Sequence, residues 1–240
     1  MLRVHHDAGV TTLTLARPDR GNALSADLVE SLLTQVQSAA QEPMTHTLLL
    51  RGEGRHFCTG LDLSDLDTCT DASLLLRLVR IETLLAALWH APLRTVVLAE
   101  GRTWGAGADL FAACEQRLAQ PGATFRFPGA QFGIVLGTRR LAERVGVDAA
   151  RAVVTEGREW DLTAAIKGGL CSAELDDDEL DDSLAEACQP PQVDRATAAA
   201  VRAATRADHR DADLAELVRS AAEPGLVQRV QAYRARLKAG

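Results

Sequence analysis

The sequence predicts an α/β protein, with a core over residues 1–190 and a helical region over residues 191–240. Three observations carry this. Short aliphatic or β-branched runs (VTTLTL, THTLLL, RTVVLA) alternate with segments of helical spacing. Hydrophobic residues make up 47% of the chain but aromatics only 4%, so Ala and Leu must build the core, and both favour helices. Beyond Asp161 no long strand pattern remains, and the last segments read as helices.

In order along the chain, Val10 to Pro18 alternates with β-branched residues and reads as a strand that the proline closes. Ser25 is a good N-cap for a helix whose buried stripe is Leu28, Leu32, Leu33 and Val36. THTLLLRGEG is a second strand ending in a glycine turn. HFCTGLDLSDL passes from a short strand through a loop into a helix start. A long helix follows and stops before Pro92, with His90 as a C-terminal cap on its dipole. LRTVVLAEG is a third, buried strand. After the stretch AEGRTWGAGADLFAACEQ, a helix is expected from about Ala108 to Cys114.

QRLAQPGATFRFPG supplies two further short strands, and RRLAERVGVDAARAVVTEG and DLTAAIKGGL are glycine-punctuated helices. ELDDDELDDSLAEACQPP reads as a solvated helix and linker before a Pro-Pro break. Three helices close the chain, the last with Leu226, Val230, Tyr233 and Leu237 on one face.

Composition narrows the function. With 26 basic and 33 acidic residues the net charge is −7, which argues against a nucleic-acid binder. The five cysteines (Cys58, Cys69, Cys114, Cys171, Cys188) show no CxxC spacing, so neither a zinc site nor a disulfide framework is expected. No signal-like or membrane-length apolar run is present, so a cytoplasmic protein with no membrane partner is expected.

The bare backbone around Gly105, Ala106 and Gly107 admits two readings. A dinucleotide fingerprint lacks its third glycine, and a P-loop lacks its Gly-Lys-Ser/Thr. The alternative is a peptide N–H aimed at a reacting carbonyl oxygen. An oxyanion hole usually needs two such donors. The turn at Gly60 offers the second, and the pair suits a thioester whose enolate carries negative charge on oxygen.

RPDRGNALSADL, RHFCTGLDLSDL, HAPLRTVVLAEGRTWGAGADLFAACEQRLA and TEGREWDLTAAIKGGL, in this order, resemble the motifs of the enoyl-CoA hydratase/isomerase (crotonase) superfamily over roughly Val10 to Leu170. The resemblance implies a ββα spiral with C-terminal helices that pack in trimers or dimers of trimers, and an acyl-CoA thioester as substrate with no further cofactor. It puts the oxyanion N–H groups at Leu61 and Ala106. Ala106 replaces a family glycine and must therefore avoid positive φ. By position it assigns Cys58, Gly60, Gly105, Gly107 and Gly129 to the substrate site. The edge carrying Arg17 and Arg20 would hold CoA phosphates, unless both are turn charges.

Two departures limit the chemistry. Family hydratases use two glutamates, whereas here the positions carry Asp109 and Gly129, and the loop after Gly129 is about three residues short. Asp109 is the single acid/base candidate, with its carboxyl pulled back by one C–C bond, ~1.5 Å. Asp62, Glu115 and Arg140 read as structural and Glu143 as surface. Cys58 does not read as a nucleophile, and His56 reads as facing solvent. Arg139 would either face solvent or turn toward an acidic acyl group; Arg126 and Gln131 would flank the space left at Gly129.

The sequence therefore points to an acyl-CoA enzyme of the hydratase/isomerase type, or to a lone-carboxylate variant performing thioester hydrolysis, decarboxylation or a lyase step. The alternative is a weak or inactive acyl-CoA-binding paralogue.

Overall fold

The computed structural model describes residues 1–176, 178 and 180–239, with side chains through residue 236. Its main sheet has the order β1 (Leu2–Asp7), β2 (Val10–Leu15), β3 (Thr47–Gly52), β4 (Arg94–Ala99), β6 (Gln116–Ala119), β9 (Ala173–Glu174). Only β1 and β2 pair antiparallel; the other neighbours are parallel. The middle strands carry aliphatic side chains on both faces: Leu48, Leu50, Val96 and Val97 are fully buried. That is the pattern of a parallel sheet covered on both sides. A second sheet of β5 (Arg102–Trp104), β7 (Thr124–Arg126) and β8 (Glu159–Asp161) stands beside it.

The helices cover these sheets in chain order. In α1 (Ala26–Gln41) the Ser25 hydroxyl accepts the N–H of Leu28 at 3.3 Å, and the expected stripe is buried. Helix α2 (Asp71–Trp89) starts on a Thr70–Ser73 capping box and ends at His90. Helix α3 (Ala106–Ala113) is buried along its length and begins two residues earlier than the sequence suggests. The reason lies in Gly105, whose φ of +54° turns the chain directly into the helix and makes it the N-cap.

Helices α4 (Thr138–Val145), α5 (Val147–Glu156) and α6 (Leu162–Lys167) follow, then α7 (Leu180–Ala187), which forms the helical part of the acidic segment. Strand β1, which the sequence pattern did not disclose, is an edge strand with five of its six residues exposed. HFCTGLDLSDL forms bridges and a 3₁₀ turn (Leu66–Thr68) rather than a strand and helix.

The C-terminal helices α8 (Arg195–Ala204), α9 (Arg210–Ala221) and α10 (Leu226–Ala239) form as expected. Leu217, Ala221, Leu226 and Val230 join Leu74 and Leu78 of α2 and Ile134 in one buried cluster. Tyr233 is buried as well, while the side chain of Leu237 lies outside those described. Helix α10 thus folds back on the core of its own chain and walls the cavity described next. The five cysteines are unpaired. No helix among the described residues is long and apolar enough to cross a membrane.

Candidate active site

Two loops meet at the mouth of α3. A β-carbon built on Gly60 would lie 2.8 Å from the Trp104 carbonyl oxygen and 3.4 Å from the Ala106 nitrogen, so only a residue without one permits this approach. Gly60 also has φ +96°. The neighbouring residues leave two N–H groups uncommitted. Leu61 forms a parallel bridge to Leu24, in which Gly60 accepts from Leu24 N–H at 2.8 Å and Asp62 donates to the Leu24 carbonyl at 3.1 Å. This geometry turns the Leu61 N–H away from the bridge. Ala106 is the first residue of α3, where no earlier helical carbonyl is available to its N–H. Among the described residues neither N–H has a hydrogen-bond partner. Ala106 is not among the residues with positive φ, so its β-carbon is accommodated without strain.

Both loops open on a largely apolar cavity of about 180 Å³, closed on one side by Val230 and Tyr233 of α10. Gly60, Leu61, Gly105, Ala106, Asp109 and Gly129 all line it. Asp109 lies in the first turn of α3 and is 7% exposed. Burial, reinforced by the nearby Glu82 charge and opposed by Arg140, holds its carboxyl well above the usual carboxylate range. The proton-bound form is therefore favoured.

Glu82 and Arg140 form a buried pair beside Asp109, with contacts of 2.6 and 3.1 Å and both side chains 3% exposed. Arg140 also lies 3.5 Å from Asp213, which pairs with Arg139 at 2.8 Å. Sequence reasoning passed over Glu82. The available signal was a carboxylate among Leu78, Ile81, Leu84 and Leu85, on the buried face of α2.

The other expected site residues stand outside the cavity lining. Arg17 donates to Asp62 at 2.8 Å and to the Ala23 carbonyl at 2.6 Å, bracing the loop behind Leu61. Arg20 is exposed and only 3.7 Å from Asp19. Cys58 is fully buried, and desolvation pushes its thiol up to about 12, far from a nucleophile at neutral pH. Gly107 packs α3 directly on the Cys58 carbonyl, where a β-carbon would collide. Arg139 is held by Asp213 and does not turn toward the cavity.

Gly129 lines the cavity, as the space expected there requires. A β-carbon there would point at the Ile134 carbonyl oxygen, 3.1 Å away, because residues 129–132 coil into a 3₁₀ turn. His56 is half-buried rather than facing solvent, and its Nδ1 accepts the Arg102 N–H at 3.2 Å. Glu115 is structural, pairing with Arg202 of α8 at 2.6 Å. The motif residue Asn22 is fully buried with φ +54°. It donates to the Glu53 and His56 carbonyls and accepts from Arg17 N–H, clamping the loop that carries Cys58 and Gly60.

Residues 5–238 match the sequence profile of the enoyl-CoA hydratase/isomerase family. The chain belongs to that family. A probable enoyl-CoA hydratase of Mycobacterium leprae is 33% identical over 72% of this chain and 70% of its own. Another, from Mycobacterium tuberculosis, is 30% identical over 89% and 86%. The crystal structure of a candidate enoyl-CoA hydratase/isomerase from Bordetella parapertussis is 42% identical with a TM-score of 0.95, covering 98% of both chains. An enoyl-CoA hydratase structure from Bacillus halodurans, at 21% identity and a TM-score of 0.82 over 96% and 99%, shares the fold. This enoyl-CoA hydratase/isomerase-family chain accordingly has the crotonase fold and is an enzyme of the lyase or isomerase type.

Proposed function

We propose that the protein binds an acyl-CoA thioester, holds the developing enolate oxygen between the Leu61 and Ala106 N–H groups, and uses Asp109 as its lone acid/base. The observation that carries this reading is the meeting of the Gly60–Leu61 and Gly105–Ala106 turns on the cavity that also contains Asp109. Fixed peptide donors in a water-poor cavity cost no reorganisation as charge develops. The first turn of α3 adds the positive end of its dipole.

Asp109 holds its proton more firmly than an ordinary carboxyl. It is therefore suited to deliver that proton to the α-carbon of an enolate. Hydration would need a second group to activate water, and Gly129 supplies none. A protonation-centred reaction, such as a decarboxylation or another lyase step, fits a single carboxyl better. Catalytic use of Gly107, Cys58 or Arg139 is not part of this reading. Arg20, and Arg17 as far as its Asp62 pairing allows, are assigned to the CoA phosphates.

The test is turnover of a panel of enoyl-, malonyl-type and aryl-CoA thioesters by the parent protein and by Asp109→Asn. The reading expects activity in the parent, abolished in the variant, with thioester affinity nearly unchanged. No turnover by the parent, with retained binding, favours the second reading, an acyl-CoA-binding paralogue. That reading draws on Gly129, which leaves the second acid/base position without a functional group.

A further inference from the structure

Among the described residues, the cavity contains one cation without a counterion. Arg126, the last residue of β7, lines it. Its Nε is enclosed and unbonded, and among the described residues its side chain makes no hydrogen bond or ion pair. The other arginines around the site are committed. Arg139 and Arg140 pair with carboxylates, Arg229 donates to the Phe132 and Gly133 carbonyls, Arg234 to that of Leu63 and Arg236 to that of Gln131. Among the described residues the Arg126 guanidinium meets only the Trp104 ring, whose centroid is 6.0 Å from its Cζ and which Arg102 already covers at 4.6 Å. A guanidinium that no carboxylate meets is a ready partner for an anion.

Tyr233 faces the same space. It is buried, its ring is tilted 47° against that of Phe132 with centroids 5.1 Å apart, and its hydroxyl has no hydrogen-bond partner among the described residues. Burial pushes the Tyr233 hydroxyl above its usual range, opposed by the Arg126 and Arg236 charges. A permanent cation and a free hydroxyl donor, brought together in one cavity from β7 and α10, form the donor set of a carboxylate site.

We propose that Arg126 and Tyr233 bind a carboxylate at the far end of the acyl group, so that the substrate is the monothioester of a dicarboxylic acid. This rests on the thioester-binding reading above and supplies its substrate class. It moves the role considered for Arg139 to Arg126. Terminal carboxylates and the CoA phosphates share the same recognition chemistry. The position of the pair, in the lining of the cavity that also holds Asp109, favours the acyl group.

The test measures Kd for glutaryl-CoA and valeryl-CoA, and for the corresponding pantetheine thioesters, which lack the nucleotide phosphates. The parent protein is compared with Arg126→Gln and Tyr233→Phe, each checked for native folding by circular dichroism. The parent is expected to prefer glutaryl over valeryl by about 10- to 100-fold in both series, the range of a charge-assisted hydrogen-bond pair. Arg126→Gln brings that preference close to one, and Tyr233→Phe reduces it several-fold.

Equal affinity of the parent for glutaryl and valeryl thioesters overturns the inference and leaves the thioester reading intact. So does an Arg126→Gln variant that weakens CoA relative to pantetheine thioesters while keeping the acyl preference, since that places a phosphate at Arg126. Failure of the parent to bind any of the four thioesters removes the thioester reading itself.

Discussion

The Asp109 carboxyl occupies the space that a β-carbon on Gly137, the residue that caps α4, would need. The first turn of α3 and the entry to α4 thus position one group between them. Gly137 also has φ +65°, a conformation that costs an L-residue about 1–2 kcal/mol. Gly137→Ala is expected to lower the thermal midpoint and to cut turnover at least ~10-fold by displacing Asp109. A variant that melts lower but turns over normally separates the two effects and removes the positioning role.

The buried pair behind Asp109 gives a second prediction. Glu82→Ala leaves Arg140 charged and enclosed without its closest partner, with Asp213 3.5 Å away and the proton-bound Asp109 beside it, which is expected to cost about 3–5 kcal/mol in denaturant unfolding. Glu82→Gln keeps the shape and removes the charge that disfavours ionisation of Asp109. Its pH–rate profile should lose the proton-donor limb at a lower pH than the parent's.

Asp109 itself makes stability depend on pH. Its folded pKa is raised above the unfolded carboxyl value near 3.8, so the folded state binds more protons in the window between the two. The stability it contributes is present at low pH and is lost as pH rises through the folded value. Asp109→Asn, which cannot ionise, should therefore gain stability relative to the parent as pH increases, with the difference levelling off above the folded pKa. Urea unfolding at several pH values reads this; a constant difference contradicts the placement of the carboxyl.

Arg17 and Arg20 separate by the same reasoning. Arg17→Ala breaks a half-buried pair with Asp62 and is expected to lower the thermal midpoint by a few degrees. Arg20, exposed beside Asp19, should leave stability unchanged when replaced by Ala. If it meets a CoA phosphate, Arg20→Ala weakens butyryl-CoA a few-fold and butyryl-pantetheine not at all. Equal effects on both ligands remove that assignment.

Oligomerisation is tested by light scattering. The trimer or dimer of trimers proposed from family resemblance predicts three or six 25.7 kDa chains per particle. A monomer at micromolar concentration contradicts it.

The sequence disclosed what local pattern encodes. The stripe of α1, the buried runs of β3 and β4 and the glycine turns at Gly60 and Gly105 were legible because their spacing repeats within a few residues. Strand β1 was not, because LRVHHD lies on an open edge and needs no apolar alternation. Pairings across the fold were equally hidden: Glu82 meets Arg140 from 58 positions away, and Arg126 and Tyr233 line one cavity only because α10 returns to it. The partner of Arg139 was hidden for the same reason, since Asp213 lies in the tail.

The most direct test of the central claim is a crystal structure with acetoacetyl-CoA. The thioester oxygen is predicted to lie within about 2.7–3.1 Å of both the Leu61 and Ala106 nitrogens. The Asp109 carboxyl should face the α-carbon. A thioester oxygen bonded to neither nitrogen, or an acyl group bound outside the cavity of Asp109, would contradict the account.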